Sequence, residues 1–250
     1  MSALLEVRDV QVRFGGVRAV DGVSFDVPAG SISGLIGPNG SGKTSTFNLI
    51  TGFYSASAGN IDFAGKAIAG RAPHEIARLG IVRTFQNVAL QPERTVLENV
   101  MLGLYCNRPN LWWDLFDGRR SRQDEQRASE IIEFCGLSQH RASLSRNVPV
   151  GLRHTAELAR ALAASPKLLL LDEPWAGLNT AESAALIRTV RRIRDTGVTV
   201  LIVEHNMKVI MEICDKITVL DAGRRIADGS PAQVRADPAV IQSYLGTAGH

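Results

Sequence analysis

The chain has 250 residues, 45% of them hydrophobic, and a formal net charge of +3 at neutral pH. That size and composition fit one large domain, or a core with one inserted subdomain, able to bury a substantial apolar interior and fold alone. The mild, scattered charge does not suggest nucleic acid; no apolar run reaches the roughly 18 residues that cross a bilayer, and MSALLEVRDV lacks a charged region before an apolar stretch, so a cytosolic, non-integral chain is expected.

Apolar alternation predicts strands over residues 4–10, 23–27 and 31–36, the last entering a glycine-rich turn followed by a helix over 44–50. Residues 60–63 and 81–85 read as further short strands, after which the pattern turns helical over 96–106 and 121–135. Helix 152–164 ends before Pro166; strand 167–171, helix 180–196, strand 198–203, helix 207–214 and strand 217–220 follow. Such alternation predicts a mostly parallel sheet with helices on both faces. Residues 1–86 and 161–250 therefore form the expected core, interrupted by a helical subdomain over 87–160. Cys106, Cys135 and Cys214 lie far apart and outside any C-x-x-C, which argues against disulfides and a zinc site.

Two stretches carry chemistry. Gly37, Pro38, Asn39, Gly40, Ser41, Gly42, Lys43 and Thr44 read GPNGSGKT, with Ser45 following, and fit the G-x-x-x-x-G-K-[ST] phosphate loop between a strand and a helix. The glycines let the backbone close on a phosphate, Lys43 reaches β and γ oxygens, and the Thr44 hydroxyl can ligate Mg²⁺. The second stretch is LLLLDEP, a fully apolar strand that delivers Asp172 and Glu173 at its carboxyl end, where parallel sheets place ligands. There Asp172 can hold Mg²⁺ through water, and Glu173 can polarise the water that attacks a γ-phosphate. Gln86, His205 and Phe14 are each weak signals alone; their order and spacing relative to the two motifs give them weight.

Taken together, these motifs make the chain resemble, over essentially its full length, the nucleotide-binding subunit of an ATP-binding cassette transporter. The resemblance implies an α/β P-loop NTPase fold of RecA-like type, with an N-terminal antiparallel β-subdomain and an inserted helical subdomain. It implies that Phe14 stacks on adenine, that Gln86 senses Mg²⁺ and the membrane partner, and that Asp172 holds the metal. Glu173 is then the catalytic base, Trp175 to Asn179 (WAGLN) the D-loop, and His205 the switch histidine at the γ-phosphate. Within the family, RTFQN, DEPWAGLN, VEHNMKVIM and VIQSYLG resemble the branched-chain amino acid importers. There two different ATPase subunits pair beneath two membrane subunits, at the cytoplasmic face of the inner membrane, and a periplasmic binding protein delivers substrate; the expected partner is thus a second, different ATPase subunit, with a homodimer as the alternative. ATP and Mg²⁺ are the implied ligands. A lipid-export ATPase resembling the lipopolysaccharide machinery, a soluble cassette ATPase and a regulatory subunit that barely hydrolyses ATP are the alternative readings.

One segment departs from the family. Where the signature LSGGQ or LSYGEQ belongs, this chain reads Val148-Pro149-Val150-Gly151-Leu152-Arg153, without the serine and the glutamine. In the family that serine and the adjoining helix N-terminus contact the γ-phosphate bound by the opposite subunit; here Gly151 and the helix dipole are left to do so. Loss of a charge-assisted hydrogen bond worth about 1.5–3 kcal/mol is expected to weaken closure over that nucleotide by one to two decades. Arg153 or His154 are candidates to restore attraction. Trp112 and Trp113, in NLWWDLFD, read first as packing among the inserted helices and second as the wall of a groove for a membrane subunit.

Overall fold

The computed structural model describes residues 2–84, 90–105 and 118–245, with the backbone alone at 118–121 and 245. In chain order the elements are strands β1 (Ala3–Phe14), β2 (Val17–Pro28) and β3 (Ile32–Ile36), helix α1 (Lys43–Ile50), strands β4 (Ala58–Phe63) and β5 (Lys66–Ala67), helix α2 (Pro73–Arg78) and strand β6 (Ile81–Arg83). Helices α3 (Val96–Tyr105), α4 (Gly118–Phe134) and α5 (Val150–Ala163) follow, then β7 (Leu168–Asp172), α6 (Thr180–Asp195), β8 (Thr199–Val203), α7 (Met207–Ile213), β9 (Lys216–Asp221), β10 (Arg224–Gly229), α8 (Pro231–Ala236) and α9 (Pro238–Leu245).

Two sheets form. The smaller is antiparallel, in the order β2-β1-β4-β5; the larger, in the order β10-β9-β3-β8-β7-β6, is parallel except for β10. The expected α/β fold with an N-terminal antiparallel part and inserted helices is the fold observed. The strand order decides where chemistry can occur: β8 lies between β3 and β7, so the residues leaving these three strands emerge side by side on one rim.

The apolar pattern explains the layering. In β7, Leu168 and Leu170 join the core under the small sheet with Leu5, Phe25 and Phe47, while Leu169 and Leu171 join the opposite core with Trp175, Leu186 and Ile210. All four leucines are fully buried, each worth about 1.5–3 kcal/mol against exposure, and a strand covered on both faces needs apolar residues at every position. A third core joins α3, α4 and α5 through Val96, Val100, Ile132, Leu137 and Ala156. Helix α5 serves two cores at once, because Leu158 and Ala161 face the large sheet while Ala156, Ala159 and Ala163 face α3 and α4; it runs unbroken through residue 160.

Several elements differ from expectation. The hairpin of β1 and β2 extends to a pair between Phe14 and Val17, longer at both strands than residues 4–10 and 23–27, because the two-glycine turn lets the strands run on. Helix α5 begins at Val150, two residues early, with Pro149 at the N-cap. β5, α2, β10, α8 and α9 were not anticipated: they are short, and β10 (RRIADG) is a charged, half-exposed edge strand without apolar alternation. Gln86, Trp112, Trp113 and Cys106 lie outside the described residues.

Candidate functional site

The glycine-rich turn follows β3, which is buried throughout. Gly37 has φ 153°, and a Cβ there would stand 2.1 Å from the Leu220 carbonyl oxygen and 2.5 Å from Ser41 Oγ. Gly42, the N-cap of α1, has φ 102°, and a Cβ would meet the Ala19 carbonyl oxygen at 2.5 Å. Both positions thus exclude a side chain, which keeps the backbone amides at the start of α1 open to an anion. Lys43 is buried, and its Nζ donates to the carbonyl oxygens of Gly37 (2.8 Å) and Pro38 (2.9 Å). Burial pushes its pKa down, opposed by the nearby charges of Glu173 and Asp172. Ser41 Oγ is buried with no hydrogen-bond partner among the described residues, and Thr44 is exposed on the first turn of α1. Pro38 is half-buried, Asn39 and Gly40 are exposed and Ser45 is half-buried beside them. An orphaned hydroxyl, a lysine and a side-chain-free turn at a helix N-terminus suit a nucleotide phosphate chain.

Asp172 ends β7, opposite Val203 of β8. It is buried, and its Oδ2 accepts from Arg83 Nη2 at 2.7 Å. Among the described residues no group of three or more His, Cys, Asp or Glu side chains can hold a metal. A magnesium ion held by Thr44 and Asp172 would therefore need phosphate oxygens to complete its shell, the usual arrangement for that ion.

Glu173 has φ 49°, a left-handed conformation uncommon outside glycine, and its N–H donates to the Val203 carbonyl oxygen at 2.9 Å. That bend aims it toward His205, whose Nδ1 lies 3.6 Å from Glu173 Oε1, beyond hydrogen-bond length but within reach of a shared water or phosphate oxygen. The loop carrying His205 is fastened by Glu204, a buried carboxylate that accepts the N–H groups of Trp175 (3.2 Å), His205 (3.0 Å) and Asn206 (3.1 Å). Trp175 Nε1 donates to the Ser183 carbonyl oxygen, and Asn179 caps α6 in a reciprocal box with Glu182. Sequence reasoning missed Arg83 and Glu204; the signals were an arginine two residues ahead of Phe85 and an acid directly ahead of His205.

Phe14, at the tip of the β1–β2 hairpin, is 45% exposed, its ring edge-on to Tyr54 at 4.9 Å. An exposed aromatic face braced in this way can stack on a planar base.

The segment at 148–153 forms the N-terminus of α5. Pro149 makes no side-chain cap, Val150 is 54% exposed, and Gly151 is covered by Glu182: a Cβ on it would stand 2.5 Å from Glu182 Oε1. Arg153 turns back to donate to the carbonyl oxygens of Val148 (2.7 Å) and Arg146 (2.8 Å), and His154 is buried, its pKa lowered by burial against the opposing Glu182 charge. Arg153 is therefore tied back to its own chain, and burial favours the neutral form of His154, so neither offers a free charge in place of the missing serine. Elsewhere a cavity of about 440 Å³, lined by residues such as Phe53, Ile76, Arg83, Leu102 and Arg160, opens between the large sheet and the inserted helices. Among the described residues no helix is long and apolar enough to cross a membrane.

Comparison with known proteins gives the family and the fold. Residues 20–176 match the family described as ABC transporter, and residues 224–250 match the branched-chain amino acid ATP-binding cassette transporter family. The chain is 40% identical over 251 residues to the high-affinity branched-chain amino acid transport ATP-binding protein BraF of Pseudomonas aeruginosa, covering 98% of each chain. It is 34% identical over 244 residues to the lipopolysaccharide export system ATP-binding protein LptB of Escherichia coli, again covering 98% of each. Among solved structures, the ADP conformation of MJ1267, an ATP-binding cassette of an ABC transporter, superposes with a TM-score of 0.88 at 33% identity, covering 98% of this chain and 100% of that one.

Proposed function

The chain belongs to the ABC transporter family, as one of its ATP-binding, ATP-hydrolysing subunits, and from that premise we propose that it powers uptake of branched-chain or related amino acids. The observation that carries the site assignment is the convergence of three strand ends: the turn after β3, Asp172 and Glu173 after β7, and His205 after β8. In this reading Phe14 stacks on adenine and residues 37–45 wrap the phosphates, with Lys43 on the β and γ oxygens. Thr44, Asp172 and Gln86 would hold Mg²⁺, which when bound neutralises phosphate charge. Glu173 accepts a proton from the water whose oxygen attacks the γ-phosphorus; the bond to the β–γ bridging oxygen breaks, giving ADP and phosphate. His205, beside Glu173, steadies the γ-phosphate.

The work comes from differential binding: ATP touches both subunits only when they close on each other, and loss of the γ-phosphate removes that preference. The chain then acts at the cytoplasmic face of the membrane, beneath two permease subunits, with a binding protein on the far side.

The altered signature supports pairing with a different ATPase subunit. In a head-to-tail pair, Gly151 and the N-terminus of α5 complete the partner's nucleotide site, whereas the site at Lys43 is completed by the partner's signature. Only the partner's site then suffers from Pro149. Glu173→Gln in this chain should lower turnover of the assembled pair at least a hundredfold, the usual scale for losing a general base; the equivalent change in the partner should cost much less. Equal losses would contradict the asymmetric pair. The export reading is weaker, because residues 224–250 match an amino-acid-transporter profile.

A further inference from the structure

Arg83 is a buried cation that the proposed chemistry does not use. Its guanidinium, with the side chain 8% exposed, gives Nη2 to Asp172 Oδ2 at 2.7 Å and Nη1 to Asn48 Oδ1 at 2.7 Å, with Thr51 Oγ1 at 3.5 Å, and lies 5.5 Å over the Phe47 ring. These partners come from two places: Asp172 from the end of β7, and Asn48 and Phe47 from α1, the helix that begins at the glycine-rich turn, with Thr51 as its C-cap. Arg83 itself ends β6, beside Leu170 in the sheet.

The residue type suits a positioning task. A guanidinium carries its charge at any pH a protein survives and presents donors in a rigid plane, so two acceptors on different elements are held at a fixed mutual angle. A lysine would keep the charge and lose the fork. Asp172 has one oxygen, Oδ2, engaged in this way, which fixes the rotation of the carboxylate and leaves Oδ1 for a metal-bound water. Partners one step out from a metal site commonly set ligand orientation in just this manner. We infer that Arg83 is the positioning residue for Asp172, locking its carboxylate to the phosphate-loop helix so that the Mg²⁺ accompanying ATP is bound in register with the phosphates. The inference rests on the nucleotide site proposed above. Arg83 also lines the 440 Å³ cavity, so whatever occupies that cavity presses on the same side chain that orients the metal-side acid.

Two effects compete when Arg83 is replaced. Removing a positive charge by itself favours a nearby cation, whereas losing the fixed orientation disfavours it. Arg83→Lys separates them, because the charge stays. The test is a fluorescence titration of the full chain with a slowly hydrolysed ATP analogue, first without divalent cation and then against increasing Mg²⁺, with the denaturant midpoint as a folding control. For Arg83→Lys the Mg²⁺-free affinity should stay within about twofold, while the Mg²⁺ needed for half of the tightening rises about tenfold, the lower end of the range for outer-shell changes. Unchanged Mg²⁺ dependence in both Arg83→Lys and Arg83→Gln, with only a lower unfolding midpoint, would mean a packing role and overturn the inference. Should both variants fail to fold, Asn48→Ala, which removes the shorter of the two Nη1 contacts and spares the ion pair, decides: a rise in the Mg²⁺ needed supports the inference and no shift overturns it. If the unsubstituted chain itself binds the analogue equally with and without Mg²⁺, the nucleotide-site reading falls, and the role of Arg83 with it.

Discussion

At Glu173 the backbone holds a non-glycine residue at φ 49°, a conformation that costs on the order of 1–3 kcal/mol and is kept where the surroundings enforce it. The enforcing contact is the Glu173 N–H to Val203, which pins the first residue after β7 to the neighbouring strand and swings the carboxylate toward His205. Asparagine tolerates this region better than glutamate. Glu173→Asn is therefore expected to unfold at the same or a higher denaturant concentration while losing at least about a hundredfold in turnover, measured as ATPase rate beside a urea melt. A second expectation concerns the described cysteines. Burial raises the Cys135 thiol to about 12 from an ordinary 9.0 and moves Cys214 in the same direction. The native protein keeps these protons where the unfolded chain releases them, so unfolding sheds protons from about pH 9 upward and stability falls as pH rises toward 12. Urea midpoints at pH 8 and pH 10 should show that decline, and both thiols should resist alkylation at pH 8 until the chain unfolds. The residues legible from sequence alone, Lys43, Asp172 and Glu173, sit inside contiguous motifs. Arg83 and Glu204 were not, because their partners are distant in sequence: Asp172 lies 89 positions from Arg83, and Trp175 lies 29 from Glu204.

At the scale of elements, α5 shows how a local change meets a distant consequence. Its N-cap is a proline with φ −52° and ψ 146°, a conformation serine adopts without strain. Pro149→Ser gains an N-cap bond of about 0.5–2 kcal/mol and loses about 0.4–1 kcal/mol of proline's restriction on the unfolded chain, so stability should barely move. The readout is instead the partner's nucleotide site. With Glu173→Gln silencing this chain's own site, Pro149→Ser should tighten ATP at the partner's site about tenfold, the equivalent of one charge-assisted hydrogen bond. No change would mean that Glu182, packed on Gly151, or some other neighbour of α5 governs that end of the helix. Element boundaries were readable where apolar period and caps agreed, as at β7 and α6. They were missed where signals were brief: α8, six residues long, is announced only by Ser230 and Gln233 in a capping box and Pro231 at its first position.

Over the whole molecule, the order of strands matters more than any single motif. Phosphate loop, acidic pair and histidine lie 37 to 205 in sequence, and only the placement of β8 between β3 and β7 makes them neighbours. That order follows from parallel crossovers packing helices on both faces, which the α/β alternation foreshadows in kind but not in sequence of strands. The inserted helices then set α5 against α6, bringing Gly151 to the helix that follows Trp175 to Asn179. The central claim is that ATP bound at Lys43 holds two subunits together and that losing its γ-phosphate lets them part. Sedimentation of Glu173→Gln with its partner ATPase subunit, in MgATP and then in MgADP, measures this directly. The account predicts a stable pair in MgATP and separate subunits in MgADP; equal association with both nucleotides would contradict it.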